Sequence, residues 1–152
     1  MTRTFRALIV NGANTNLYGV DPDGVYGAKT LADIEAGCHA AARTAGLKLD
    51  FRQSNHEGEL IDWIHAARAS EDGIIINAGS LTYTSIGLLD ALSAFGKPVL
   101  EVHMTNIYRR EPFRHHSFIS RAATGIIAGL GPAGYEFAVM ALARLLKGEN
   151  DR

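Results

Sequence analysis

Polar side chains follow three short apolar segments of this sequence. One segment ends with an acid and an imidazole, Glu101 and His103. The other two end with amides, which are Asn11 and Asn14 in one case and Asn77 in the other. Short runs rich in β-branched residues are typical of buried parallel strands. The carboxyl ends of parallel strands meet at one edge of a sheet, where α/β proteins bind ligands. The sequence therefore predicts one polar site at the ends of three strands.

Glu101 and His103 have the clearest chemical meaning. They are two residues apart in a predicted strand, so both side chains lie on the same face. A histidine that ends a buried strand is about as often a satisfied core residue as a catalytic one. Glu101 favours catalysis, because a carboxylate can orient the imidazole and stabilise its charged form.

His115 and His116 suggest a metal site only superficially. Adjacent loop side chains point apart, and no second pair of ligands follows at metal spacing. We therefore expect no metal, and nothing in the residue pattern calls for another cofactor.

The elements that position these side chains alternate between strand and helix. Residues 47–53 alternate in polarity, which predicts a strand at the sheet edge, and helices are predicted at 57–69 and 85–95. Thr30 and Asp33 resemble a capping arrangement that starts an earlier helix. The alternation predicts an α/β fold: a flavodoxin-like, open, parallel five-stranded sheet of order 2-1-3-4-5 with helices on both faces.

Apolar stripes indicate which residues the helices bury. Cys38 lies on the stripe of the first helix, so we expect a core residue rather than a reactive thiol. Pro132 suits the first turn of the last helix. That helix is expected to bury Phe137 and Met140.

Composition limits the class of protein. With 152 residues and 47% hydrophobic content, we expect one domain over 1–152. A net charge of -1 provides no general attraction for nucleic acid or an anionic membrane, and no apolar run approaches the ~20 residues that span a bilayer. Cys38 has no partner for an internal disulfide, and the first residues lack a long apolar stretch. We expect a cytoplasmic protein.

The loop at 18–27 is rich in glycine and acids and has little apolar periodicity. Long irregular loops in compact domains are usually functional or disordered, so we predict a mobile lid over the site. Tyr26 lies in this loop, where an ordinary surface tyrosine is the more common interpretation.

Several stretches carry a more specific pattern than any single residue. They are Asn11-Gly12-x-Asn14-x-Asn16-Leu17-x-Gly19, Tyr26-Gly27, the run from Phe51 to His65, Glu101-Val102-His103 and the run from Arg110 to Ser117. Together, and in this order over essentially the whole chain, they resemble the type II 3-dehydroquinate dehydratases. The resemblance implies anti elimination of water from 3-dehydroquinate to 3-dehydroshikimate through an enolate, in the shikimate pathway of aromatic amino acid biosynthesis and without a metal or Schiff base.

The resemblance also implies roles by position. Tyr26 looks like the base, Asn14 the residue that holds a water near the enolate, and His103 the acid, oriented by Glu101. The residues implied to contact the small-molecule substrate are Asn77 and the backbone of Met104 and Thr105 at the carboxylate, and Arg114, Tyr83 and Asp90 at the ring hydroxyls. Asp90 would come from a neighbouring subunit, because the family assembles as a dodecamer of trimers.

This chain departs from the family's pattern at positions that include the site: Asp21 stands for a lid arginine, Tyr83 for a histidine, Leu89 for an arginine and Tyr108 for a histidine. Asp21 matters most. A phenol with a reference pKa near 10 needs a nearby cation to ionise at neutral pH, a gap of about 4 kcal/mol. Either another cation such as Arg109 or Lys29 approaches Tyr26, or the enzyme is impaired, or its substrate differs.

Two alternatives to the dehydratase remain open. One is a paralogue that dehydrates another cyclic hydroxy-keto acid, which Tyr83 favours. The other is a catalytically silent protein that binds a small acid through Asn77 and His103. A phosphoacceptor receiver domain is a distant third, because the first strand ends in asparagines and not in an acidic pair.

Overall fold

The computed structural model describes residues 3–149, and within them five strands form one parallel sheet. The strands are β1 (Phe5–Ala13), β2 (Leu47–Gln53), β3 (Gly73–Gly79), β4 (Val99–His103) and β5 (Gly125–Ala128). Their spatial order is β2-β1-β3-β4-β5, and every neighbouring pair is parallel. The predicted strand order is confirmed, and the chain changes direction across the sheet between β1 and β3, where α/β folds open a crevice.

Helices cover both faces of this sheet, as predicted. They are α1 (Leu31–Ala45), α2 (Glu57–Ser70), α3 (Ile86–Phe95) and α4 (Ala133–Leu146). The first and last pack together on one face, and α2 packs with α3 on the other. Among residues 3–149, no helix combines the length and apolar character needed to cross a membrane.

The first helix begins as its sequence predicts. The Thr30 hydroxyl accepts from the Asp33 N–H at 3.1 Å, and the Asp33 carboxylate accepts from the Thr30 N–H at 3.0 Å. This reciprocal cap satisfies two N–H groups that a helix start otherwise leaves unpaired. The stripe on α1 buries Cys38 completely, which confirms it as a core residue, and burial raises the pKa of its thiol to about 12.

The buried face of α4 differs from the prediction. Phe137 and Met140 are 48% and 46% exposed, so the expectation that they are buried is wrong. The helix is rotated instead to bury Tyr135, whose hydroxyl donates to Asn11 and accepts from Asn77. A polar end that finds partners makes a tyrosine as suitable for the core as a phenylalanine. The residues that share its face are Ala138, Val139 and Leu142.

Two glycines let β1 and β3 approach closely at their carboxyl ends. A Cβ on Gly12 would lie 2.2 Å from the Ala78 carbonyl oxygen. A Cβ on Gly79 would lie 2.5 Å from the Ala13 carbonyl oxygen, and Gly79 also has a φ of 61°. Any larger residue at either position would push the strands apart at this edge.

Candidate active site

A cleft of about 440 Å³ opens where β1, β3 and β4 end, at the predicted edge of the sheet. The structure brings most of the proposed site residues to its walls: Asn14, Tyr26, Asn77, Tyr83, His103, Met104, Thr105 and Arg114. Glu101 lies behind His103, in contact with it. Asp90 is exposed on α3 and does not line the cleft of its own chain.

Glu101 is a buried carboxylate that holds His103 in place. It is 1% exposed, and it accepts hydrogen bonds from His103 Nε2 and from the hydroxyls of Ser117, at 2.8 Å, and Ser120. Burial alone would raise the pKa of Glu101, but the hydrogen bonds from His103 and Ser120 outweigh it and hold that pKa below its ordinary value. An ionised Glu101 fixes the orientation of the imidazole and can stabilise its protonated form.

Arg110 is the cation beside Tyr26. One guanidinium N–H donates to the Tyr26 hydroxyl at 2.8 Å, and the guanidinium carbon lies 5.4 Å from the centre of the ring. Arg109 and Lys29, the two examples given for another cation near Tyr26, are exposed and do not line the cleft, so Arg110 occupies that place instead. Asp21 is likewise exposed and outside the lining.

Asn77 is oriented by the structure around it. Its Oδ1 accepts from the Gly79 N–H at 3.2 Å, and its Nδ2 donates to the hydroxyls of Tyr18 at 2.8 Å and Tyr135 at 2.7 Å. Both amide hydrogens are therefore engaged with protein oxygens. Tyr18, which lies in the loop predicted to be a lid, lines the same cleft as Asn77.

Tyr83 and Arg114 form the opposite part of the wall. The Tyr83 ring lies 6.4 Å from the His103 ring, centre to centre, at an interplanar angle of 20°. The Arg114 guanidinium lies 5.6 Å from the centre of the Tyr83 ring, and its Nε donates to Glu111 at 3.1 Å. Burial raises the pKa of Tyr83, so its hydroxyl stays protonated at neutral pH. This wall offers a neutral hydroxyl and a cation to a polar ligand.

Asn14 stands at the exposed end of the cleft in a left-handed backbone conformation, with φ at 69°. Asparagine tolerates this conformation better than most residues. Its N–H donates to Asn55 Oδ1 at 2.9 Å, which ties the turn after β1 to the segment after β2.

The two adjacent histidines have separate contacts. His115 Nε2 donates to the Arg110 carbonyl at 2.9 Å, and the His116 ring packs edge-on against Phe118. Within residues 3–149, no three His, Cys, Asp or Glu side chains are grouped so that they could hold a metal ion.

Sequence reasoning missed four contributions to this site, from Arg110, Ser117, Ser120 and Tyr18. Arg110 and Ser117 lie in a motif that was recognised, but spacing alone does not say which arginine of an adjacent pair faces Tyr26. Tyr18 has no comparable signal, because it begins a stretch of glycines and acids that is typical of a solvated loop. Its burial becomes visible only in the folded chain.

Comparison with known proteins agrees with this geometry. Residues 5–143 match the family model described as dehydroquinase class II. A protein of Agrobacterium fabrum named 3-dehydroquinate dehydratase 2 is 56% identical over 137 residues, which cover 90% of this chain and 93% of the relative. A 3-dehydroquinate dehydratase of Streptomyces coelicolor is 53% identical, over 91% of this chain and 88% of the relative. The crystal structure of a type II dehydroquinase from Butyrivibrio crossotus superposes with a TM-score of 0.89 at 33% identity, over 91% of this chain and 97% of that one. The chain belongs to the class II dehydroquinase family.

Proposed function

We propose that this protein is a hydro-lyase that removes water from 3-dehydroquinate to give 3-dehydroshikimate by anti elimination through an enolate, in the shikimate pathway. The observation that carries the proposal is the pairing of two groups in one cleft: Tyr26 bonded to the Arg110 cation, and His103 bonded to the Glu101 carboxylate. A tyrosine beside a cation suits a base, and an imidazole on a buried carboxylate suits an acid. The names of the relatives support the same reaction.

Tyr26 is the base in this proposal. The Arg110 guanidinium stabilises the phenolate, which then removes the proton α to the substrate ketone. The developing enolate needs a hydrogen-bond donor near its oxygen. Asn14, at the open end of the cleft, holds the water that supplies this donor.

His103 is the acid. It delivers a proton to the departing hydroxyl, and Glu101 stabilises the charged imidazole before that transfer. Ser117 and Ser120 donate to the same carboxylate and so keep it ionised and oriented. The two serines are positioning residues, since they act on the acid only through Glu101.

Substrate binding uses the remaining walls. Asn77 with the backbone of Met104 and Thr105 surrounds the carboxylate, and Arg114 and Tyr83 contact the ring hydroxyls. Asp90 completes the site from a neighbouring subunit, in a homo-oligomer that we propose to be a dodecamer of trimers. Its exposure on α3 outside its own cleft supports this assignment.

An aspartate at position 21 need not impair the enzyme. The cation that Tyr26 requires is already present in Arg110, and Asp21 is exposed to solvent, where its charge is well screened. The same pairing argues against a silent binding protein, since both the base and the acid keep their activating partners. The Tyr83 hydroxyl can donate a hydrogen bond to the substrate, as the N–H of a histidine would. A tyrosine at this position is therefore compatible with 3-dehydroquinate as the substrate.

Turnover of 3-dehydroquinate by the purified protein, followed by the enone absorbance of the product, tests the proposal. We expect steady turnover by the wild type and none measurable above background with His103→Ala. The His103→Ala variant should still bind 3-dehydroshikimate weakly, because other groups also hold the carboxylate. Wild-type protein that binds this acid without turning over 3-dehydroquinate would instead identify a silent binding protein.

A further inference from the structure

A chain of directed hydrogen bonds runs from the backbone to the cleft. Asn11 Nδ2 donates to the Arg52 carbonyl at 3.0 Å, so its Oδ1 is the atom that accepts from the Tyr135 hydroxyl at 2.8 Å. At the other end, the Gly79 N–H fixes Oδ1 of Asn77, so Nδ2 is the atom that faces both tyrosines. Backbone groups at both ends thus determine the direction of every bond in the chain.

Tyr18 is the last side chain in this series of hydrogen bonds, and its own hydroxyl hydrogen forms none of them. Its oxygen accepts from Asn77, and among the hydrogen bonds formed within residues 3–149 none has the Tyr18 hydroxyl as its donor. Tyr18 is only 7% exposed, and it lines the cleft. A buried tyrosine hydroxyl usually has a hydrogen-bond partner, and Tyr18 can still donate its own hydrogen to an acceptor that enters the cleft.

We propose that Tyr18 is a substrate-binding residue that donates its hydroxyl hydrogen to a carboxylate oxygen of the substrate. This rests on the proposed function, and it deepens the assignment of Asn77 to the carboxylate. Since both hydrogens of Asn77 Nδ2 are engaged, the amide acts on the substrate through Tyr18, by holding the phenol with its hydrogen towards the cleft. Asn77 is then a positioning residue.

A carboxylate is the acceptor that fits this donor best. Hydrogen bonds to an ionised acceptor are about twice as strong as those between neutral groups, and a buried donor gains most from such a partner. Burial also raises the pKa of Tyr18 to about 12, so the phenol remains a neutral donor and adds no negative charge against the anion. Met104 and Thr105 line the same cleft, and their backbone lies with Asn77 in the proposed carboxylate site.

The oxygen of Tyr26 is the alternative acceptor to test, because the two ring centres lie 4.9 Å apart, although no hydrogen bond joins the two hydroxyls in the structure. A bond to that oxygen would make Tyr18 a support for the base and not a ligand of the substrate. The two roles predict different results. Support for the base changes kcat and the pH profile, whereas a carboxylate ligand changes affinity for the acid alone.

Binding of 3-dehydroshikimate and of its methyl ester, measured by calorimetry, separates these roles without turnover. We expect Tyr18→Phe to reduce the preference of the protein for the acid over the ester about tenfold or more, as loss of a bond to a charged group would. Tyr135→Phe is the matched control, because it removes a hydroxyl from the same series of hydrogen bonds at a residue that does not line the cleft. It should lower thermal stability but keep the preference within about threefold of the wild type.

Kinetics with 3-dehydroquinate give the second measurement. Tyr18→Phe should raise KM about tenfold or more and change kcat less than about threefold, the signature of a contact made equally in ground and transition states. An unchanged preference for the acid, an equal loss in both variants, or a fall in kcat with a moved pH profile would each overturn the proposal. Wild-type protein that binds the acid but never turns over 3-dehydroquinate would reject the proposed function and leave the calorimetric comparison intact.

Discussion

Replacing Arg110 by methionine should remove the cation from the base, together with a hydrogen bond to the Thr105 hydroxyl at 3.3 Å and an ion pair with Glu111 at 3.7 Å. The guanidinium N–H to Tyr26 oxygen distance is 2.8 Å, and the Arg110 side chain is 19% exposed, so the pair is largely shielded from solvent. Methionine is long and unbranched, and it keeps apolar contact with the Tyr26 ring. The change therefore removes one charge and one hydrogen bond from the phenol.

The size of the effect follows from that one bond. A hydrogen bond to a charged group contributes about 1.5–3 kcal/mol, and about 1.4 kcal/mol is a tenfold change in an equilibrium. Loss of this bond should lower kcat/KM for 3-dehydroquinate about 10- to 150-fold.

Initial rates with 3-dehydroquinate at neutral pH would measure this loss in kcat/KM. Arg109→Met is the matched control, since it removes the same charge from the neighbouring, exposed residue outside the cleft. We expect Arg109→Met to stay within about threefold of the wild type. Equal kcat/KM values for the two variants would refute the assignment of Arg110 as the activating cation.

Further outcomes can be measured on the same protein. Asp21→Arg should change kcat/KM less than about threefold, because the exposed side chain is screened by solvent; a tenfold gain in turnover would show that Asp21 impairs the lid. Glu101→Gln should lower kcat at least about tenfold, measured in the enone assay, since a neutral amide no longer stabilises the charged imidazole. The lowered pKa of Glu101 means that its contribution to stability is present above its ordinary value of 4.5 and is lost as pH falls through the lower, folded-state value. Melting temperatures of the wild type should therefore drop in this acidic range, and those of Glu101→Gln should drop less. Light scattering should find a large oligomer, because Asp90 is exposed outside its own cleft and is assigned to a neighbouring one; a monomer at micromolar concentration would contradict the shared site.

The arrangement of strands could be predicted because it depends on features that are local in sequence. Short apolar runs followed by asparagine or histidine marked β1, β3 and β4, and the alternating polarity of β2 placed it at the edge. The capping box at Thr30 is equally local. Each of these signals lies within a few residues of the element that it specifies.

The features that could not be predicted depend on partners distant in sequence. The rotation of α4 follows from the bonds of Tyr135 to Asn11 and Asn77, more than fifty residues away, so a stripe of apolar residues pointed to the wrong face. Which arginine reaches Tyr26 depends on how the short 3₁₀ turns after β4 fold back over the cleft. The role of Tyr18 depends on which atoms of Asn77 other groups have already engaged.

The burial of Cys38 makes the natural thiol a reporter of unfolding. It is the only cysteine in the chain, it is fully enclosed between α1 and the sheet, and its raised pKa keeps the reactive thiolate scarce. A thiol reagent can modify it only when α1 separates from the sheet, so the rate of labelling measures the frequency of that opening. A cysteine introduced at an exposed loop position such as Val20 could carry a fluorophore without removal of the native thiol, and opening and closing of the loop could then be followed in the intact protein.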